Sequence, residues 1–110
     1  MNMKYTGDWR IDEMELWEAD YLNMEVEAFI SIDERGDGQF QFGLVSGNID
    51  GEVIQRKTET CLEFTWEGND ECDEASGSGW LQLRDDDTLD GEIKFHGGDR
   101  SSLVATRIKN

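Results

Sequence analysis

One histidine, two cysteines and a dense run of carboxylates are the side chains of this 110-residue chain with the chemistry for proton transfer, nucleophilic attack or cation binding. His96 is the sole histidine, so acid–base work near neutral pH would fall on it. Asp99 follows across Gly97-Gly98 and is spaced to orient the ring. Strand alternation sets His96 opposite in phase to Phe95, which points it outward, and a surface or turn-capping histidine is the simpler reading. A Gly-x-Ser-x-Gly elbow is missing, and Gly77-Ser78-Gly79 does not replace one. Any Ser or Cys triad would therefore rest on this one imidazole. No residue is assigned a catalytic role.

Asp70, Glu71, Asp73 and Glu74, with Cys72 among them, form an oxygen-rich cluster of the kind that suits calcium, magnesium or manganese. Their spacing does not match an EF-hand loop, and zinc needs more Cys or His than the chain offers. With 26 acidic residues such clusters arise by chance, so no metal and no cofactor is assigned. Asp85-Asp86-Asp87 and Arg35-Gly36-Asp37 are read as turns.

The residues best suited to hold a ligand are Trp66, Glu67, Asn69, Asp70 and Trp80, with His96 as a further member. They border a stretch read as a long acidic loop, residues 67–79, between two alternating strands, Leu62 to Trp66 and Trp80 to Leu83. Two indoles and several hydrogen-bonding groups would then meet at one mouth of a barrel, where small barrels bind ligands. Trp80 is out of phase with Leu81 and Leu83, which places it on the outer face or the rim. The plainer alternative is that Asn69 and Asp70 cap the loop's own backbone while the tryptophans pack.

Positioning such groups is the task of the strands. Trp9 and Ile11 alternate with polar residues, and the phase then slips to Met14 and Leu16, which predicts a bulge near Asp12-Glu13. Trp17, Tyr21 and Met24 fall at helical spacing, so Leu16 to Met24 is expected to form a short helix docked over one end of the fold. From Ala28 onward alternating segments are separated by turns at residues 34–38, 56–58, 84–88 and 97–100. Together these give about eight short antiparallel strands with one apolar face each, a single all-β domain closed as an up-and-down barrel. The expected inward set is Trp9, Phe40, Phe42, Leu44, Leu62, Phe64, Trp66, Leu83, Ile93, Phe95 and Leu103. Gly47, Gly51 and Gly91 share those faces and leave room either for neighbouring rings or for a ligand. The bulk of the inward set predicts an interior mostly filled by side chains.

Charge narrows the partners. The formal net charge is −16, from 26 acidic against 10 basic residues. Such a field repels phosphate and argues against direct binding to nucleic acid or to an anionic membrane. It permits a basic protein partner or mimicry of a nucleic acid, and it also serves as an ordinary solubilising surface. Met1 to Tyr5 has no apolar core of a secretion signal, and no run has the length of a transmembrane helix. The expected location is cytoplasmic, with Cys61 and Cys72 reduced.

Gly7-Asp8-Trp9 at the start of the first strand and Arg107 in the last resemble the calycin barrels, the lipocalin, avidin and fatty-acid-binding group. In that group a Gly-x-Trp packs beneath a basic residue from the final strand. The resemblance implies structural roles for Gly7, Trp9 and Arg107, an indole face covered by a guanidinium. It carries no ligand residues over, because the chain is short for a lipocalin, its helix stands between the first two strands, and the avidin biotin-contact pattern is not recognisable. The whole chain also resembles a set of small bacterial proteins of unknown function, through Met14-Glu15-Leu16-Trp17, Gly38-Gln39-Phe40-Gln41-Phe42-Gly43, Trp66-Glu67-Gly68-Asn69-Asp70-Glu71, Ala75-Ser76-Gly77-Ser78-Gly79-Trp80 and His96-Gly97-Gly98-Asp99. This second resemblance implies a single bacterial domain and no particular activity.

Three functions follow as expectations. The first is a non-enzymatic module binding a small or partly apolar ligand at the rim near Trp66 and Trp80. An acidic protein that meets a basic protein surface is the second. The third, a hydrolase or isomerase, would use His96 with a nearby carboxylate.

Overall fold

The computed structural model describes residues 4–109. The reading of the first residues as lacking a leader rests largely on Met1 to Met3 and lies outside the described residues. Eight strands follow in order: β1 (Gly7–Met14), β2 (Phe29–Ile32), β3 (Gly38–Phe42), β4 (Val45–Arg56), β5 (Glu59–Asp70), β6 (Asp73–Asp85), β7 (Thr88–Phe95) and β8 (Arg100–Arg107). Each pairs antiparallel with the next, and β8 returns to pair with β1, so the sheet is a closed meander barrel. Closure leaves no open sheet edge, and the period of two sends alternate side chains inward. The ladder between β1 and β8 slips between Ile11 and Glu13. The extra residue is Asp12, at the place where the apolar phase of the sequence changes.

The lumen is packed with side chains. Trp9, Ile11, Ile30, Ile32, Phe40, Phe42, Ile49, Leu62, Phe64, Trp66, Leu81, Leu89, Ile93, Leu103 and Ala105 are all buried and belong to one cluster. Rings fill its centre: Phe40 meets Trp66 edge-on at 5.2 Å between centroids, and Trp66 meets Phe95 edge-on at 5.2 Å. Glycines on neighbouring strands make room for these rings. Trp66 pairs across the ladder with Gly77, and Phe64 with Gly79. A Cβ on Gly77 would lie 2.8 Å from Trp66 Nε1, and one on Gly79 would lie 2.5 Å from Phe64 Cζ. Ring and glycine are therefore complementary halves of one packing unit, the ring covering backbone that would otherwise be bare.

The two ends are closed differently. At one end Arg107 lies over Trp9, its guanidinium carbon 4.2 Å from the ring centroid. It donates to the carbonyls of Thr6 (2.9 Å), Lys4 (2.7 Å) and Asp86 (3.1 Å). Gly7, at φ +130°, passes beneath it, and a Cβ there would sit 3.1 Å from Arg107 Nη1. The Trp9 indole N–H donates to the Tyr5 carbonyl at 3.0 Å, which satisfies its one polar atom in a fully buried site. At the opposite end the connection from β1 to β2 crosses the barrel mouth.

That connection holds far less helix than its sequence spacing predicts. Only α1 (Ala19–Leu22) is helical, a single turn. Trp17 stacks on Tyr21 and also contacts Phe42 and Phe95, so the i, i+4 pair marks a cap over the ring cluster. Met24, expected on the same face, is exposed instead. Leu44, expected inward, is half-buried in the turn between β3 and β4, and its N–H faces the Tyr21 hydroxyl at 3.4 Å.

Candidate functional site

The acidic loop expected over residues 67–79 does not exist as a loop. Trp66 to Asp70 continue β5, Asp73 to Gly79 begin β6, and only Glu71-Cys72 turn the hairpin, with Glu71 at φ 60°. Asn69 pairs with Glu74 and Asp70 with Asp73 in an unbroken ladder, so neither caps a loop. The acids of the hairpin tip do not gather either. Among the described residues no three His, Cys, Asp or Glu side chains come together as a metal site. Cys72 is exposed and Cys61 buried, both as free thiols, and burial pushes the Cys61 thiol pKa up.

Straightening this segment separates the two indoles. Trp66 points into the lumen and donates to the Lys94 carbonyl at 3.2 Å. Trp80 has the opposite phase and stands half-buried on the outer face of β6, between Glu63 of β5 and Glu92 of β7. Strand parity thus sets the two indoles on opposite faces of the wall, with Trp66 bordering the trough described below from its inner side. Asp70 ends β5 at the hairpin tip, away from both.

Glu67, Asn69 and His96 do come together. They lie on a polar trough on the outer wall of the barrel, across β4, β5, β6 and the residue after β7. The ladder orders it in rows. In one, Asn48 stands beside Glu67, Glu67 beside Ser76, and the His96 N–H donates to the Ser76 carbonyl at 2.7 Å. The next row runs Asp50, Thr65, Ser78, Lys94. The volume over these two rows is about 630 Å³. A hollow beside Trp80 shares Asp50, Thr65 and Ser78 with it, so the trough runs on to that indole. The concavity comes from side-chain size: short Thr65, Ser76 and Ser78 occupy the centre, and Trp80 and longer acids stand at the ends.

These side chains are free of one another. Asn48, Asp50, Thr65, Glu67, Ser76, Ser78, Lys94 and His96 are all exposed, and no side chain among them makes a hydrogen bond or ion pair within the described protein. The Trp80 indole N–H likewise has no acceptor there. His96 is therefore not oriented by Asp99, whose backbone carbonyl instead accepts the Phe95 N–H at 2.8 Å. The arrangement offers donors, acceptors, one aromatic face and both charge signs, without a linked proton relay.

Sequence reasoning missed Asn48, Asp50, Thr65, Ser76, Ser78 and Lys94. Their signal was present but weak: each is the polar alternate of an inward residue. Which alternates become neighbours is fixed by ladder register, which requires the strand pairing.

Compared with models of known protein families the chain matches none, and the comparison with curated proteins gives no match.

Proposed function

We propose that the protein is a non-enzymatic binding module of the calycin type, with a structural lumen and a small-ligand site on its outer wall. The observation that carries this reading is the trough of exposed polar side chains with no partners of their own, set on a barrel whose interior is already filled. Pockets with a few convergent polar groups and an aromatic face are the usual form of small-molecule sites. Trp9 beneath Arg107 supports the calycin affiliation. A library of small metabolites titrated against the isotope-labelled protein tests the reading. Hits are expected to move the backbone amides of Thr65, Ser76 and Ser78, and Ser78→Trp, which fills the trough, is expected to abolish the response. A library that moves no trough amide would sink it.

A second reading, docking of a basic protein, is favoured by a separate observation. Leu16, Met24 and Val26 are the exposed large hydrophobic residues of the described chain, and all lie in the β1–β2 connection. Glu15, Glu18, Asp20, Glu25 and Glu27 stand among them, and none takes part in an ion pair. Apolar and acidic groups in one segment suit a cationic amphipathic surface.

A further inference from the structure

We infer that the trough takes a neutral polyhydroxylated ligand, an oligosaccharide, with one sugar ring stacked on Trp80; this rests on the outer wall being the binding site. Charge limits the ligand first. In a molecule of net charge −16, the two central rows hold two acids, Glu67 and Asp50, and one ammonium, Lys94. An anion meets the field of the whole protein, and Lys94 stands in the way of a polycation, which leaves a ligand without net charge.

Hydrogen bonding narrows it further. Hydroxyls of a sugar both donate and accept, and they need both kinds of partner. The carboxylates of Asp50 and Glu67 accept, the Lys94 ammonium donates, and Asn48, Thr65 and Ser78 do both. All of these are unengaged within the described protein. A carboxylate accepting from a hydroxyl makes a short charge-assisted bond, stronger than a neutral one.

The indole supplies a flat apolar face. Trp80 is the tryptophan outside the core cluster and its ring contacts, half-exposed, with its N–H unpartnered. The apolar C–H face of a pyranose ring covers such a surface while the ring edge keeps its hydroxyls free. Trp80 stands one same-face step from Ser78, about 7 Å along the strand, and Ser76 stands the same distance further. A ligand of a few sugar units laid along β6, its first ring on the indole, reaches the serine hydroxyls.

The full chain, isotope-labelled, is titrated with cellotriose, maltotriose and chitotriose in one arm, and with spermidine and a library of non-sugar fragments in the other. At least one trisaccharide is expected to shift the amides of Thr65, Ser76 and Ser78 and the Trp80 indole N–H, saturably. Trp80→Ala is expected to weaken that binding at least tenfold and Trp80→Phe to weaken it less. Glu67→Gln, which leaves the indole in place, is expected to weaken it severalfold, and the backbone spectra of all three variants should otherwise stay unchanged. If spermidine or fragments move the trough amides and the trisaccharides do not, the sugar assignment is overturned and the binding-site reading stands. If neither arm moves them, both fall. Sugar binding that survives Trp80→Ala unchanged overturns the stacking geometry and the inference with it.

Discussion

The outer faces on the two sides of the barrel are built on different plans. Along the seam, where β8 meets β1 and β1 meets β2, polar side chains hold each other: the Ser31 hydroxyl to Asp8 at 2.8 Å, Arg10 to Asp12 at 2.8 Å, the Thr106 hydroxyl to Asp12, and Arg107 to three carbonyls. Along the stretch of β4, β5 and β6 that forms the trough they hold nothing, and the ties of this wall, Arg56 to Glu63 and Gln82 to Glu59, lie toward its β4–β5 hairpin. The difference follows connectivity. Strands β4 to β6 are consecutive hairpins, whose loop-closure cost is small because their partners are close in sequence. The seam joins the first strand to the last, and the cost of bringing those ends together falls on it alone. A seam needs cross-ties. The trough segment of the wall carries none, and its polar groups are left for another use.

The comparison is broken most easily by removing the seal. Trp9→Ala is expected to destabilise the protein by about 3–5 kcal/mol, the range for a large buried aromatic, and Arg107→Ala by about 1–3 kcal/mol through carbonyls left without their donor. Denaturant unfolding measures both. A loss below about 1 kcal/mol for Trp9→Ala, well short of the usual cost of an aromatic truncation, would remove the seam's special status.

A smaller effect is expected at the turn that carries one of the Arg107 acceptors, the Asp86 carbonyl. Asp85 accepts the Asp87 N–H at 2.9 Å, and that bond, helped by the Thr88 hydroxyl, holds its carboxyl below the usual aspartate range. A depressed folded pKa contributes stability above the unfolded pKa, and that contribution is lost as pH falls through the folded value. Asp85→Asn should therefore melt earlier than the wild type at neutral pH, and the gap should close in acid. A gap that is the same at both would show that the charge is not involved.

The smallest effect should fall on the wall. Thr65→Ala and Ser78→Ala are expected to change stability by no more than about 0.5 kcal/mol in either direction, as for surface groups without partners. A loss of about 2 kcal/mol from either would mean that the trough serves the fold, and would erase the contrast with the seam.

How far the sequence could be read depended on which force decided each element. The phase of Trp9, Ile11 and Met14 gave both the first strand and its bulge, because burial on one face is recorded residue by residue. Likewise Phe40, Phe42, Leu62 and Phe64 declared their strands and the filled interior. Residues 67–79 misled because acids, Gly and Ser are poor strand formers. Pairing with β5 on one side and β7 on the other overrides that preference, and the glycines are there because Trp66 and Phe64 need the room. The candidate site suffered the same way. With the loop straightened, Trp80 turned outward, away from Trp66, while Glu67, Asn69 and His96 met neighbours that only the ladder register fixes. The helix was overestimated because Trp17 and Tyr21, at helical spacing, are held by Phe42 and Phe95 more than by a helix of their own.

The barrel wall is one backbone thick at Lys94. Its ammonium belongs to the outer trough, and its carbonyl receives the indole proton of Trp66 from within. Whatever settles outside and draws on that strand also tugs the acceptor of a buried fluorophore, and Trp66, which borders the trough from its inner side, is placed to report it by its emission.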